Sequence, residues 1–458
     1  MPQIIPHLSS FRDPSGFIFY ENQELLRQVN KSYEDNYELI KETGLYDLLC
    51  KKGLLIAHQE LDNHSGVNTD AYKIIKPEKV SFISYPYEWS FSQLKDAALT
   101  TLEIQKLAMQ HGMTLKDASA YNIQFHLGRP VFIDTLSFEK YQKGKPWVAY
   151  RQFCQHFLAP LALMSYTDIR LNQLMKIYLD GVPLDLASRL LPYKTKARFP
   201  LLMHIHLHSR VQKQYEHKGS ASKSAHISKS NLFALIHSLT NTVEKLKIKG
   251  QKTEWAEYYT FTNYHDRSLE NKMEILSKFV EKINPKTVWD LGANTGKFTQ
   301  LASNFGAECV AYDIDPLAVE LHYNHVKKEQ NKLILPLVLD LTNPSSSIGW
   351  NNEERMGFKE RSLPDLVFAL AVLHHLAISN NLPFHKIAQF LSELSNHLII
   401  EFVPKSDSQV IKLLQSRKDI FENYDEQTFI REFEVFYYIR GKEKIIDSER
   451  TIYWMQRK

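Results

Sequence analysis

The stretch VWDLGANTGKF, Val288 to Phe298, runs from apolar residues through Asp290 into a turn that holds Gly292 and Gly296. It reads as a strand, a loop and a helix start, a setting in which glycines let the backbone close on a nucleotide. Two phosphate-binding patterns fail around it. A dinucleotide fingerprint needs GxGxxG, and here Asn294 stands midway between the two glycines. A P-loop needs GxxxxGK and then Ser or Thr to hold magnesium, but this spacing is one residue short and Phe298 follows Lys297. The lysine is therefore incidental. Asp313 ends the next apolar run, ECVAYDIDP, where an acid can accept both ribose hydroxyls of a nucleoside.

Other groups could act on a substrate. His374 and His375 follow the run DLVFAL, and histidine titrates near neutral pH, so one of them can serve as a general base. The alternative is that the pair only shapes the pocket. Glu401, in IIEFVPKSD, is a candidate substrate-side acid. A second constellation lies upstream, where Asp117 is followed by Asn122 and then by Asp134. An apolar hairpin, NIQFH and PVFID with its turn at Leu127 to Arg129, joins the last two.

The elements that must position these residues follow from apolar patterning. KTVWDL, ECVAYD, LILPLVLD, DLVFAL and HLIIEFV are short apolar runs separated by helix-length segments, as in a parallel sheet with helices on both faces. Ligands bind such sheets beyond the carboxyl ends of the strands, where the polar residues above fall. FEVFYYIRGK and RTIYWMQRK read as a closing β-hairpin. NLFALIHSLTNTVEKLKI and RSLENKMEILSKFVEKI carry helical spacing ahead of the sheet. EWAEYYTFTNYHDR, with Trp255, Tyr258, Tyr259 and Tyr264, is either an aromatic lid or an amphipathic helix packed by its rings.

An acid at a strand end with glycines two and six residues later resembles motif I of the class I S-adenosylmethionine-dependent methyltransferases. The resemblance covers roughly Trp255 to Lys458 and rests on four spaced elements in order. It departs at Asn294, where the family usually has glycine, although Asn tolerates left-handed backbone angles. It implies a Rossmann-like α/β fold with a parallel sheet and a C-terminal antiparallel hairpin. It also implies S-adenosylmethionine as cofactor, held by Asp290, Gly292, Asn294, Gly296, Asp313, Ile314, Asp340 and Leu341, with Asp340 toward the adenine amino group. The Asn/Asp-Pro-Pro-Tyr-type motif of amino-group methylators is absent, which disfavours N6-adenine and glutamine-amide targets.

Asp117, Asn122 and Asp134 resemble the catalytic and metal-binding loops of kinase-like phosphotransferases. Against activity, Leu115 stands where that family has histidine, and glycine does not follow Asp134. Upstream there is no Gly-rich loop or strand lysine of the expected kind, although DAYKIIKP offers Lys73 and Lys76. The resemblance implies an α+β domain, a kinase-like remnant that selects a substrate or partner. A plain hairpin with acids at its ends remains the alternative. Taken whole, the chain resembles bacterial two-part methyltransferase proteins, some labelled nodulation-related.

A length of 458 residues suits about two to four domains, and the 43% hydrophobic content can build real cores. The net charge of +4 is too small to argue for nucleic-acid binding, but from Lys194 to Lys229 the only acid is Glu216. Within that stretch HKGSASKSAHISKSN cannot build a core, so 217–230 is expected to be an exposed linker between domains 1–216 and 231–458. His204, His206 and His208 would share one face of a strand, or His204 and His208 one face of a helix. Such spacing can hold zinc, but no fourth ligand stands nearby, so no metal is expected and a basic or solvated face is favoured. Cys50, Cys154 and Cys309 fit neither a disulfide framework nor a zinc site. No apolar run approaches the roughly 18 residues of a membrane span, and MPQIIPHLSSFRD lacks signal-peptide character, so a cytoplasmic protein without a membrane partner is expected.

These readings point to a methyltransferase whose acceptor, most simply a small molecule, is chosen partly by the N-terminal half. A protein or nucleic-acid acceptor stays open. The alternatives are a bifunctional or regulatory protein whose kinase-like half binds a nucleotide or partner, and an RNA methyltransferase guided by the basic segment.

Overall fold

Alternating apolar and polar runs at the start of the chain suit a sheet with one face on a core, whereas the later continuous runs suit strands buried on both faces. A computed structural model describes residues 4–62, 64, 66–207, 226–248, 266–415 and 419–458. It divides into a first unit, Met1–Gly250 with Ser347–Arg355, and a second, Gln251–Ser346 with Met356–Lys458.

In the first unit β1 (Ile4–Pro6), β2 (Gly16–Glu21), β3 (Glu24–Asn30), β4 (His58–Glu60) and β5 (Ala71–Pro77) form an antiparallel sheet in the order β1-β2-β3-β5-β4. The turn at Asn22 and Gln23 has positive φ at both residues, as a tight hairpin requires. α1 (Glu34–Glu42) and α2 (Leu45–Lys51) follow β3, and Val29, Tyr33, Tyr37, Ile75 and Leu136 share one core. α3 (Phe91–Gln110) starts at Ser90, whose hydroxyl accepts from the Gln93 amide while Gln93 returns the bond. Next come β6 (Met113–Leu115), the hairpin β7 (Ile123–His126) and β8 (Arg129–Phe132), and β9 (Phe138–Lys140), which pairs with β6. This succession of antiparallel sheet, long helix, polar loop and short hairpin is the α+β arrangement implied by the kinase-like resemblance. Helices then dominate, including the apolar α4 (Ala159–Tyr166) and α5 (Lys229–Lys245). α5 packs on α3, so it lies in the first unit, although the sequence reading began the C-terminal domain at residue 231.

The second unit opens with α6 (Asp266–Ile283), which buries Ile275, Leu276, Phe279 and Val280 on one face. β10 (Thr287–Leu291), α7 (Lys297–Asn304), β11 (Glu308–Asp313), α8 (Pro316–Lys328), β12 (Ile334–Val338), β13 (Leu366–Ala369), α9 (Phe384–Leu394) and β14 (His397–Phe402) alternate as expected. α10 (Ser408–Gln415), α11 (Glu426–Phe433), β15 (Tyr437–Lys444) and β16 (Thr451–Arg457) complete the unit. The sheet order is β12-β11-β10-β13-β14-β16-β15, parallel through β14 and antiparallel at β16 and β15. This is the Rossmann-like class I methyltransferase sheet with its closing hairpin. The chain order reverses beside β10, which opens a crevice at the carboxyl ends of β10 and β13.

The aromatic segment with Trp255, Tyr258, Tyr259 and Tyr264 lies outside the described residues, as do His208 and residues 217–225 of the linker. Among the described residues no helix is long and apolar enough to cross a membrane. Cys154 and Cys309 are buried as small core residues and Cys50 is half-buried, all three with free thiols.

Candidate active site

The loop after β10 is built around backbone angles that few residues adopt. Gly292 and Gly296 have φ of +82°, and Asn294 has φ of +50°, so asparagine fills the irregular motif position because it tolerates the left-handed region. The Gly292 and Ala293 amides donate to the Tyr312 carbonyl at 2.8 and 2.9 Å, which ties the loop to the end of β11. A Cβ on Gly292 would lie 2.5 Å from Val372 Cγ2, and one on Gly296 only 1.9 Å from His322 Nε2. Gly296→Ala should therefore cost about 2 kcal/mol or more from backbone strain and clash. Asn294→Gly should melt within a few degrees of the parent, and calorimetric melting of both variants checks the contrast.

Asp313 closes this loop from the next strand. Its Oδ2 accepts the Asn294 amide at 2.7 Å and its Oδ1 the Asp315 amide at 2.9 Å. Burial pushes its carboxyl up to about 6. Asp290 stands behind the loop, almost fully buried, and accepts from Thr299 Oγ1 at 2.6 Å. Burial pushes it up to about 6 as well, with the Asp313 charge adding to the shift.

Gly292, Asn294, Asp313, Ile314, Asp340 and Leu341 line one cavity of about 440 Å³, within the usual range for small-molecule sites. Asp290 and Gly296 are not in its wall: Asp290 bonds Thr299 behind the loop, and Gly296 stands at the start of α7. Asp340 Oδ1 accepts from the Thr342 amide at 2.8 Å and hydroxyl at 2.6 Å, which fixes the carboxylate at the rim. Across the cavity, Leu370, Ala371 and Val372 follow β13, and Ala371 has φ of +54°, a strained angle for a residue with a Cβ.

His375 begins a π-helical turn, His375–Ser379, of the kind that often marks functional positions, and lines the cavity with Leu376, Ser379 and Asn380. Burial lowers His375 to about 4, so the ring is neutral at physiological pH. His374 is fully buried outside the cavity wall, with ring centroids 4.2 Å from His375. Among the described residues neither of its ring nitrogens has a hydrogen-bond partner. Glu401 does not line the cavity: it is fully buried, 2.5 Å from Lys272 Nζ and 3.3 Å from an Arg450 nitrogen. Arg450 in turn holds Asp407 through two bonds of 2.7 and 3.0 Å.

In the first unit the structure brings Asp117, Asn122 and Asp134 together. Asn122 Nδ2 donates to Ser137 Oγ at 3.3 Å, and the Ser137 hydroxyl donates to Asp134. Burial alone would raise the Asp134 carboxyl, but Arg27 at 2.6 Å and the Ser137 hydroxyl outweigh it and hold it below the usual range. Asp117, half-buried beside it, is raised mainly by desolvation. A guanidinium from β3 thus meets the acid that the kinase-like resemblance assigns to magnesium. The clustered histidines depart from the sequence expectation. His204 and His206 lie in a π-helical turn, Leu202–Leu207, and both point inward. His204 bonds Tyr150 and Ser238, and His206 bonds Ser188 and Thr195, because a buried imidazole is stable only with its nitrogens paired.

Over 456 residues, 98% of this chain and 95% of its relative, the sequence is 34% identical to Nodulation protein NoeA of Rhizobium meliloti (strain 1021). The chain belongs to the family of Nodulation protein NoeA. No protein-family model matches it. Among solved structures, it is similar to the N-methyltransferase NodS of Bradyrhizobium japonicum WM9, with 11% identity over 42% of this chain and 97% of that one, TM-score 0.32. It is also similar to magnesium protoporphyrin IX methyltransferase (ChlM) of Synechocystis PCC 6803 with bound SAH, with 16% identity over 44% and 93%, TM-score 0.31. The bifunctional kinase-methyltransferase WbdD matches at 17% identity over 42% and 40%, TM-score 0.29.

In this member of the family, sequence reasoning missed Lys272, which lines the cavity from α6. Its Nζ lies 4.3 Å from the centre of the Phe298 ring, and burial lowers its pKa against the pull of Glu401. A signal was present: Lys272 precedes Leu276 by one turn and so sits on the apolar face of an amphipathic helix. Arg27 was missed because alternation in ELLRQVN gives no hint that a cation is turned inward.

Proposed function

We propose that the second unit is an S-adenosylmethionine-dependent methyltransferase that transfers a methyl group to a small-molecule acceptor by direct displacement. The observation that carries this reading is the convergence of Gly292, Asn294, Asp313 and Asp340 on one cavity at the switch point of the sheet. The donor supplies a methyl group already activated on a sulfonium. Asp313 accepts the ribose hydroxyls, Asp340 faces the adenine amino group, and the positive-φ loop lets the backbone lie close to the donor's amino-acid portion. Neutral His375 can accept a proton or a hydrogen bond from an acceptor hydroxyl or amine, and the apolar walls at Leu370, Val372, Leu376 and Leu413 exclude water. Among the described residues Lys272 is the one lysine or arginine in the cavity wall, and Asp313 and Asp340 stand there too. That balance favours an uncharged acceptor over a phosphate-bearing one such as RNA.

Donor binding should depend on pH through Asp313. Its folded-state pKa, raised to about 6, means that the carboxylate is lost as pH falls through that value. Affinity should be flat above about pH 7 and fall by up to roughly tenfold per unit below 6. Without donor the sign reverses, because the folded state holds this proton more tightly than the unfolded one, with its ordinary value of 3.8. The contribution of Asp313 to stability should then rise as pH falls from about 6 to about 4. Calorimetric titration and melting across this range check both directions. The function itself is tested with labelled methyl donor and fractionated cell extract. Label entering a small molecule supports the reading, and label entering only RNA or protein contradicts it.

A second reading concerns the first unit and rests on the Arg27–Asp134 pair. We infer a binding role for that unit, directed to a substrate or partner, because an internal cation already neutralises the acid a magnesium ion would need.

A further inference from the structure

The methyltransferase reading leaves one built surface of the first unit unused. It runs from Arg189 to Met203, over the end of the helix Leu184–Leu190, the turn Tyr193–Ala197 and the helix Phe199–Leu201. Its underside is firm. Leu191, Thr195, Leu201 and Ile205 are buried, and His206 bridges Ser188 Oγ at 2.7 Å and Thr195 Oγ1 at 3.0 Å, so the segment is pinned at both ends. Pro192 and Pro200 restrict the backbone between those anchors.

Its outer side is unusual in two respects. Tyr193 is 82% exposed and Phe199 71% exposed, and Leu190 and Met203 also project into solvent. Interleaved with them are Arg189, Lys194, Lys196 and Arg198, with no acid anywhere from Leu186 to Leu207. Among the described residues none of the four cations pairs with a carboxylate. Lys196 lies over the Tyr193 ring and Arg198 over the Tyr166 ring instead. Large apolar side chains are rarely left exposed together, and four cations among them, with no acid between Leu186 and Leu207, concentrate a positive potential on the same strip.

We infer that this strip is a peripheral docking surface for an anionic lipid bilayer. Lysine and arginine meet the lipid phosphates while the aromatic and aliphatic side chains enter the interfacial layer, a pairing that neither group would satisfy alone. An RNA strand would offer phosphates, and its bases could stack on Tyr193 and Phe199, but it gives Leu190 and Met203 no apolar phase. The absence of a spanning helix among the described residues bears on insertion and not on a surface of this kind. The inference stands apart from the methyltransferase reading, since none of these residues lines its cavity.

The full chain should cosediment with vesicles of phosphatidylcholine containing roughly one third phosphatidylglycerol and not with phosphatidylcholine alone. Raising salt from about 50 to about 300 mM should release it. Lys194→Glu/Lys196→Glu/Arg198→Glu should weaken binding at least tenfold, and Tyr193→Ser/Phe199→Ser should do so with less change in salt dependence. All five substituted side chains lie at the surface, so melting should be unchanged. As a check independent of those variants, a Tyr193→Trp chain should show a blue-shifted emission on adding the anionic vesicles. No binding to anionic vesicles, equal binding to neutral ones, or tighter binding to single-stranded RNA than to vesicles would overturn the inference.

Discussion

Replacing Asp313 by alanine should raise the dissociation constant for S-adenosylmethionine by at least a hundredfold. Two ribose hydroxyls donating to one carboxylate form charge-assisted hydrogen bonds worth about 1.5–3 kcal/mol each, and about 1.4 kcal/mol is tenfold in affinity. A second effect acts in the same direction. Asp313 also accepts the Asn294 and Asp315 amides, so its loss frees the glycine loop as well as the ribose site. Asp313→Asn separates the two contributions, because it keeps one acceptor oxygen for the loop but replaces the other with a donor. It should bind the donor more tightly than the alanine variant and more weakly than the parent. Calorimetric titration of all three proteins reads the order directly, and an alanine variant that binds like the parent would remove Asp313 from the site.

The second large effect is expected at Glu401. Its carboxylate is fully buried between Lys272 and Arg450, and removing one partner of a buried ion pair typically costs about 3–5 kcal/mol because a charge is left without compensation. Glu401→Leu should therefore lower stability by about that amount in a denaturant titration. Adding Lys272→Met removes the orphaned charge, and Arg450 keeps its two bonds to Asp407, so the double variant should recover at least half of the loss. Recovery also separates structure from catalysis. If Glu401 acted on the acceptor, restoring stability would leave turnover abolished, whereas a purely structural role lets turnover return unless Lys272 itself contacts a ligand. A cost below about 1 kcal/mol for the single variant would show that water reaches the pair.

Much of the second unit was legible in the sequence because its signals are local. Each strand of the parallel sheet is a continuous apolar run, and Asp290, Gly292, Gly296 and Asp313 hold their relation through one strand–loop–helix–strand unit. The positive φ of Asn294 was foreseeable from the residue type alone. What stayed hidden depends on contacts between distant segments. Lys272 and Glu401 meet across more than a hundred residues, so neither a helix full of Lys and Glu nor a strand with one Glu near its end reveals the pair. The different placements of His374 and His375 have the same origin, since adjacent residues entering a π-helical turn point to different surroundings. His204 and His206 were read as an exposed row because spacing reports periodicity, while the direction of a face is set by the hydroxyls packed against it. In the first unit the hairpin and the Asp117, Asn122, Asp134 set were legible. Arg27, arriving from β3, was not.

The most direct measurement is a calorimetric titration of S-adenosylmethionine into the full chain, with S-adenosylhomocysteine as competitor. Saturable binding of one donor per chain, displaced by the competitor, is the result predicted by the site at the end of β10 and β11. No heat with either compound, together with saturable binding of magnesium ATP, would contradict it and move the nucleotide chemistry to the first unit.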